Sequence, residues 1–175
     1  MDKKVTVESL ILDTNQVKTG DKIYLSGTIY TARDAAHKRI IDILNRGEKP
    51  PFEIKNSALY YCGPSPAKPN EIIGACGPTT SSRMDLFTPK MLSCGVKILI
   101  GKGARSDEVN KAIAFYNAVY FTAVGGVAAL LSKTVRQARL IAFEDLGPEA
   151  VYELVVENMP LITAVDSGGA SIFNF

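Results

Sequence analysis

The chain has 175 residues, of which 46% are hydrophobic, and a net charge of +2 with acidic and basic residues interspersed. This predicts a single domain over residues 1–175 with a sizeable core, and gives no charge pattern typical of nucleic-acid binding. No apolar run approaches the length of a membrane span and the N-terminus does not look like a signal peptide, so we expect a cytoplasmic protein.

The first third of the sequence is typical of two strands followed by a helix. VTVESLIL and KIYLSGTIYTA are rich in β-branched and aromatic residues, and NQVKTGD separates them as a turn. A helix is predicted over residues 33–46, with a capping box between Thr31 and Asp34 at its start and Gly47 at its end. One face of this helix is apolar and includes Ala36, Ile40, Ile41, Ile43 and Leu44.

The remainder alternates between strand and helix patterns. SALYYCG and NEIIGAC predict short strands, Thr88 and Pro89 open a helix that Gly95 ends, and VKILIG predicts a strand buried on both faces. Ser106 caps the helix DEVNKAIAFYN, AVYFTAV is a strand, and GGVAALLS is a short helix that opens on glycines. VRQARLIAF, AVYELVVEN and LITAVDS supply the remaining elements. The pattern predicts an α/β protein with a central, mostly parallel sheet, helices on one side of it and a second, antiparallel sheet against it.

Three cations each lie between a predicted strand end and a helix start. Arg33 lies in the first turn of its helix, where the helix dipole disfavours a cation; Arg83 follows the loop GACGPTTSS, and Lys102 lies in GKG. Ligands of open α/β sheets bind at this edge, and helix N-termini and glycine loops there favour anions. Two arginines and a lysine suit a small ligand with two carboxylates.

The loop before Arg83 is dense in hydroxyl groups. We expect Thr79, Thr80 and Ser81 to bond the ligand or to transfer a proton, with glycines allowing close approach of the backbone. Other readings remain open: Arg33 pairs with Asp34, Arg83 pairs with Asp85, and the loop is only a capped turn. His37, one helical turn beyond Arg33, is either a structural group or a support for Arg33.

The cysteines do not form a metal-binding motif. Cys62, Cys76 and Cys94 are widely spaced, and the chain has one histidine and no CxxC. We therefore expect buried or partly buried free thiols and no metal site in this chain. Cys76 is notable because it lies inside the hydroxyl-rich loop.

Several motifs, taken together, resemble a known enzyme family. Six motifs are similar, in order, to motifs of the β subunit of class I iron–sulfur fumarate hydratases and of L(+)-tartrate dehydratase. They are LSGTIYTARDAAHKR, YYCGPSP, GPTTSSRMD, ILIGKG, FTAVGGVAALL and LGPEAVYELVVENMPLITAVDSGG. The resemblance runs from about residue 4 to residue 172 and implies a three-layer β/β/α swivelling domain. It also implies a hetero-oligomer with an α subunit, or α domain, that carries a [4Fe-4S] cluster on three cysteines. Because the sequence begins with its own methionine, we expect a separately encoded subunit that is inactive alone.

The same resemblance implies roles for the residues named above. Arg33, Arg83 and Lys102 would hold substrate carboxylates, Thr79 would be the catalytic base and Thr80 would bind substrate, while the acid would come from the partner. Apart from the resemblance, we expect His37, which is close to Arg33 in the sequence, and Ser81 to support these residues. The expected reaction is the reversible hydration of fumarate to L-malate, and tartrate dehydration is the alternative. A non-catalytic assembly subunit and a stand-alone anion-binding or nucleotide-binding module remain open as rival functions.

Overall fold

A computed structural model describes residues 2–123 and 127–174. Within these ranges no helix has the length and apolar character needed to cross a membrane. The strands are β1 (Asp2–Thr6), β2 (Lys22–Thr31), β3 (Ala58–Tyr60), β4 (Ile98–Gly101), β5 (Val119–Thr122), β6 (Val135–Ala142) and β7 (Val151–Val165). The α-helices are α1 (Val7–Leu12), α2 (Asp34–Asn45), α3 (Thr88–Ser93), α4 (Asp107–Phe115) and α5 (Ala128–Ser132).

The strands form one mixed sheet in the order β1-β2-β3-β4-β5-β7-β6. Neighbours from β1 to β5 run parallel, and β7 runs antiparallel to β2, β5 and β6. Because β7 is 15 residues long and pairs with both β2 and β5, the pairings β2-β3-β4-β5-β7 close into a circuit. The mixed α/β class is as predicted, but the antiparallel strands share this sheet instead of forming a hydrogen-bonded sheet of their own.

The parallel strands β3, β4 and β5 are buried on both faces. Ala58, Tyr60, Ile98 and Ile100 belong to one hydrophobic cluster together with residues of β2 and β7. The intervening residues of the parallel strands, such as Leu59, belong to a second cluster with residues of α2, α3 and α4. All four residues of β4 are buried, which confirms the prediction from the continuous apolar run.

Several helix and strand predictions are confirmed. The second predicted strand is β2, and α2 occupies most of the predicted 33–46 helix and ends before Gly47, whose φ of 70° suits a glycine. Ser106 caps α4 by accepting a hydrogen bond from Val109 N at 3.2 Å. The glycines predicted to open the GGVAALLS helix, Gly125 and Gly126, lie outside the described residues.

The first predicted strand is wrong after Thr6, where the chain enters α1. Thr6 and Ser9 form a reciprocal capping box, and Val7 and Leu10, three residues apart, are the buried residues of the helix. The local cap therefore outweighs the strand propensity of the β-branched residues.

The start of α2 also differs from the sequence prediction. Arg33 is the N-cap residue and has no side-chain capping bond. Thr31 lies in β2, and its hydroxyl accepts a hydrogen bond from Tyr152 N at 3.0 Å and donates one to Ala150 O. The Thr31 hydroxyl therefore bonds the backbone at the start of β7, and does not form the predicted capping box with Asp34.

Two further boundaries are corrected. NEIIGAC forms no strand: its first residue, Asn70, adopts a positive φ of 68°, and the segment continues through turns and bends. Phe87, not Thr88, is the N-cap of α3, and Thr88 is the first helical residue.

Candidate active site

The carboxyl ends of three parallel strands meet at one edge of the sheet. The register aligns Thr31 of β2 with Tyr60 of β3, and Tyr60 with Ile100 of β4. Arg33 and Lys102 each lie two residues beyond this row. Since neighbouring strands are about 4.8 Å apart, these two backbone positions are on the order of 10 Å apart, with β3 between them.

The hydroxyl-rich loop crosses the ends of β3 and β4. Thr79 N donates to Tyr61 O at 2.7 Å, just beyond β3. Thr80 forms a parallel bridge with Lys102, and Ser81 N donates to Lys102 O at 2.9 Å. Thr79 is half-buried and Thr80 is exposed. The backbone therefore brings both threonines next to Lys102.

Ser81 fixes this loop through a directed chain of hydrogen bonds. Lys102 N donates to Ser81 Oγ at 3.0 Å, and Tyr120 Oη lies 2.8 Å from both Ser81 Oγ and Gly103 O. The tyrosine has a single hydroxyl hydrogen and the Gly103 carbonyl can only accept, so Tyr120 donates to Gly103 and Ser81 donates to Tyr120. Burial raises the pKa of Tyr120 to about 12, so the hydroxyl keeps its proton. Ser81, which is buried, therefore has its hydrogen and one acceptor site engaged in holding the loop.

Gly101, at the end of β4, leaves the space that Ser81 occupies. A Cβ at this position would lie 1.9 Å from Ser81 Oγ and 2.7 Å from Tyr61 Cδ2. A side chain would therefore displace the loop, so the strand has to end in glycine.

Arg33 and Arg83 flank one carboxylate. Arg83 Nε donates to Asp34 Oδ1 at 3.2 Å, and Arg33 Nη2 lies 3.9 Å from Asp34 Oδ2. The Arg33 side chain also lies over Gly63, where a Cβ would be 3.0 Å from Arg33 Cδ. The structure thus brings together two arginines that are 50 positions apart in the sequence. The alternative pairing of Arg83 with Asp85 is wrong, because Asp85 pairs with Arg105.

The Arg33 guanidinium has donor capacity to spare. Its Nε is buried, has no hydrogen-bond partner in the described part of the chain, and lies 3.8 Å from Glu149 Oε1. By contrast, Arg39 donates two hydrogen bonds to Asp145, at 2.8 and 2.9 Å. The Arg33 side chain is partly exposed and lies 3.8–3.9 Å from these carboxylates, so its guanidinium can still bind an additional anion.

His37 supports the backbone of Arg33. Its Nδ1 lies 2.8 Å from Arg33 O and must carry the hydrogen, because the carbonyl can only accept. The ring is buried, stacks on Phe87 and meets Tyr61 edge-on. Burial lowers the pKa of His37 to about 4, so the imidazole is neutral at pH 7. The histidine is thus a structural group that contacts Arg33.

Arg105 was missed by the sequence analysis. Its side chain is fully buried, and it donates to Asp85 Oδ1 and to Thr88 Oγ1, each at 2.7 Å. The guanidinium also lies 4.9 Å from the Tyr120 ring centre and 5.2 Å from that of Tyr61. Arg105 directly precedes the helix start at Ser106. A cation at a helix N-terminus is also the sequence feature that singled out Arg33, so the same feature could have identified Arg105.

The cysteines are free thiols, as predicted. Cys62 and Cys76 are buried with their Sγ atoms 3.3 Å apart, and Cys94 is partly buried at the end of α3. The hydrogen bond with Cys76, together with burial, raises the pKa of the Cys62 thiol well above its usual value. Among the described residues, no group of three or more His, Cys, Asp or Glu side chains is placed to hold a metal ion.

Comparison with known proteins matches residues 2–175 to a family model described as Fumarase C-terminus. A Methanocaldococcus jannaschii protein, whose name is a provisional assignment as L(+)-tartrate dehydratase subunit beta, is 42% identical over 92% of this chain and 86% of its own length. Fumarate hydratase 2 of Leishmania major is 34% identical over 99% of this chain, and the anaerobic class I fumarate hydratase of Escherichia coli is 31% identical over 95%. The chain spans 31% of the length of each of these two enzymes.

Proposed function

We propose that this chain, which belongs to the fumarase C-terminus family over residues 2–175, is the β subunit of a class I fumarate hydratase. With an α subunit it would catalyse the reversible hydration of fumarate to L-malate. Fumarate hydratases and tartrate dehydratase are hydro-lyases, and such enzymes are among the relatives of this chain. Because the chain spans only 31% of the two fumarate hydratases compared above, we assign the rest of the active site to the partner.

The proposal includes a fold assignment. We place residues 1–175 in one domain of the three-layer β/β/α swivelling type. Its support is the division of the core into two clusters, one on each face of β3, β4 and β5. In this description β2, β7 and β6 form the outer β layer, and α2, α3 and α4 form the helical layer.

The observation that carries the function is the gathering of cations and hydroxyl groups at one sheet edge. Arg33 follows β2, Lys102 follows β4, and Arg83 reaches Asp34 from the loop that crosses between them. Thr79 and Thr80 lie in the same loop. This edge offers both the positive charge and the hydroxyl groups that a dicarboxylate would need.

The chemistry of the proposed reaction suits such an edge. Forming fumarate from malate requires removal of a proton from the carbon next to a carboxylate, and negative charge then accumulates on that carboxylate. Cations that are already in place stabilise this charge without reorganising during the reaction. We assign carboxylate binding to Arg33, Arg83 and Lys102, which follow different elements of the fold.

We assign the base to Thr79 and substrate contact to Thr80. A threonine hydroxyl is a weak base in water, and it needs a neighbouring cation to lower its pKa. The parallel bridge between Thr80 and Lys102 brings a lysine close to the loop, and Arg83 follows four residues after Thr79. Ser81 and His37 take the supporting roles, because Ser81 fixes the loop and His37 holds the Arg33 carbonyl.

The iron–sulfur cluster implied by the family does not fit this chain. Cys62 and Cys76 are directed at each other in the interior, whereas Cys94 lies at the end of a separate helix. A cubane cluster requires several thiolates spread around it. We therefore assign the cluster to the α subunit and give it no contact with the cysteines of this chain.

A second substrate is supported by one relative. The protein provisionally named as a tartrate dehydratase subunit has 42% identity to this chain and is matched over 86% of its length. Tartrate differs from malate by one additional hydroxyl group, so the same carboxylate-binding edge would serve both substrates. Discrimination would depend on a few polar contacts, including contacts from the partner.

The test is to produce this chain together with its α subunit under anoxic conditions and to assay fumarate, malate and tartrate. We expect turnover of fumarate and malate, and an Arg83→Ala variant with at least about a hundredfold lower kcat/KM. Arg136→Ala is the matched control, because Arg136 is exposed and pairs with Glu157 on a different part of the sheet. An Arg83→Ala enzyme as active as the control would exclude the catalytic assignment and favour an assembly subunit.

A further inference from the structure

Asp34 occupies the centre of the arginine pair. Arg83 Nε donates to its Oδ1 at 3.2 Å, and its Oδ2 lies 3.9 Å from Arg33 Nη2. The Oδ2 atom is buried and has no hydrogen-bond partner among the described residues. A carboxylate therefore lies where two guanidinium groups from different elements come together.

Helix position alone does not account for this arrangement. An aspartate at the first residue of α2 is favoured by the helix dipole, and this would hold for any direction of the side chain. Here the carboxylate accepts from Arg83, which belongs to the loop that carries Thr79 and Thr80. The contact thus joins α2 to the proposed active-site loop.

We infer that Asp34 is a resident carboxylate that occupies the anion position between Arg33 and Arg83 when the site is empty, and that its charge lowers the affinity for a dicarboxylate. This inference rests on the proposed function. The chemistry is that of one carboxylate in place of another, since Asp34 offers the guanidiniums the same group as the substrate. Arg33 keeps donors for an incoming ligand because its side chain is partly exposed and its guanidinium lies no closer than 3.8 Å to a carboxylate oxygen of the described residues.

Repulsion between carboxylates sets the expected effect. A substrate carboxylate bound by the same guanidiniums would lie on the order of 5 Å from Asp34, where two like charges in a partly solvated site change affinity by about 3- to 30-fold. Asp34 would thus keep the arginines in position in the empty site and limit the affinity for substrate and product. Asp34 is a positioning and affinity-setting residue in this scheme, and not the base.

The decisive variant is Asp34→Asn in the complex with the α subunit, with succinate as a dicarboxylate inhibitor that is not hydrated. Asparagine retains an oxygen that can accept from Arg83 and removes the charge, so we expect the inhibition constant of succinate to fall by about 3- to 30-fold. Asp145→Asn is the matched control: it removes one charge from a largely exposed carboxylate that pairs with Arg39. The inhibition constant of succinate for the Asp145→Asn enzyme should match that for wild type.

The outcomes separate this inference from the proposed function. An Asp34→Asn inhibition constant equal to or above that of wild type would overturn the inference, provided that the wild-type complex is active and inhibited by succinate. Lack of turnover and of inhibition in the wild-type complex would overturn the proposed function itself. Asp34→Ser, which removes the charge and suits a helix start, provides the same test if the asparagine variant does not assemble.

Discussion

Arg105 Nε donates to Asp85 Oδ1 across 2.7 Å, and the arginine side chain has no exposed surface. Asp85 Oδ2 accepts from Ser106 N at 2.8 Å, so the carboxylate joins the arginine to the start of α4. Tyr61 and Tyr120 enclose the guanidinium, and Tyr120 also accepts the hydroxyl hydrogen of Ser81. The buried ion pair therefore lies directly behind the loop that carries Thr79 and Arg83.

Replacing Arg105 by methionine should strongly destabilise the protein. The substitution leaves the mostly buried Asp85 carboxylate without its cation, and breaking such a pair lowers the free energy of unfolding by about 3–5 kcal/mol. Urea denaturation of the isolated chain measures the change. Arg136→Met, which breaks an exposed pair with Glu157, should lower it by less than about 1 kcal/mol. Equal losses in the two variants would contradict the importance assigned to the buried pair.

A methyl group at Gly101 should displace Ser81 and with it the hydroxyl-rich loop of the candidate site. Gly101→Ala would place its Cβ 1.9 Å from Ser81 Oγ, so we expect a loss of about 1–3 kcal/mol in stability and weaker dicarboxylate binding in the assembled enzyme. Adding Ser81→Gly removes the closest contact and should restore part of the stability, although the contact with Tyr61 remains.

Gly47→Ala provides the control for the Gly101 experiment. A Cβ there would meet no atom within 4 Å, and the variant bears only the strain of a φ of 70°. We expect this variant to leave dicarboxylate binding unchanged. If Gly101→Ala behaved in the same way, the packing of Ser81 on β4 would not govern the loop.

Local sequence signals predict the sheet edge at which two of the three candidate cations lie. Arg33 and Lys102 follow predicted strands that are present as β2 and β4, and parallel strands end at one edge of the sheet. The strand predicted ahead of Arg83 is absent, and this arginine reaches the same edge through the loop that crosses it. Adjacent parallel strands could be expected from the alternation of elements, and the register then fixes which residues become neighbours.

Side-chain pairing and the closure of the strand circuit could not be predicted from local sequence patterns. The sequence offered Asp85 as a partner for Arg83 because they are two positions apart, but Arg83 bonds Asp34, 49 positions away, and Asp85 bonds Arg105. The closure of the strand circuit likewise depends on β7 pairing with β2, whose partners are more than 100 positions apart. Contacts of this kind follow from the packed fold and leave no periodic pattern in a single sequence.

The three cysteines should differ in reactivity. In the native isolated chain, iodoacetamide should modify Cys94 first, because Cys62 and Cys76 are buried and the pKa of Cys62 is raised by its hydrogen bond with Cys76 and by burial. Intact mass should show one added group in buffer and three in urea. Labelling of two or three thiols in buffer, at the rate seen in urea, would contradict the burial of the pair.

The single histidine of the chain should report on the interior beside Arg33. Burial lowers the pKa of His37 from 6.5 to about 4, so its Hε1 proton resonance should titrate near pH 4 and not near pH 6.5. Between these values the unfolded chain binds more protons than the folded chain, so the free energy of unfolding decreases as the pH falls. For His37 the decrease in the free energy of unfolding between pH 7 and pH 5 is about 2 kcal/mol.

His37→Phe is the control variant, because it keeps an aromatic ring at this position but removes the titrating group. Its loss of stability between pH 7 and pH 5 should be smaller than that of wild type by about 2 kcal/mol. An Hε1 midpoint above pH 6, or equal losses in the two proteins, would show that the imidazole is hydrated and that its hydrogen bond does not fix the Arg33 carbonyl in the way the structure describes.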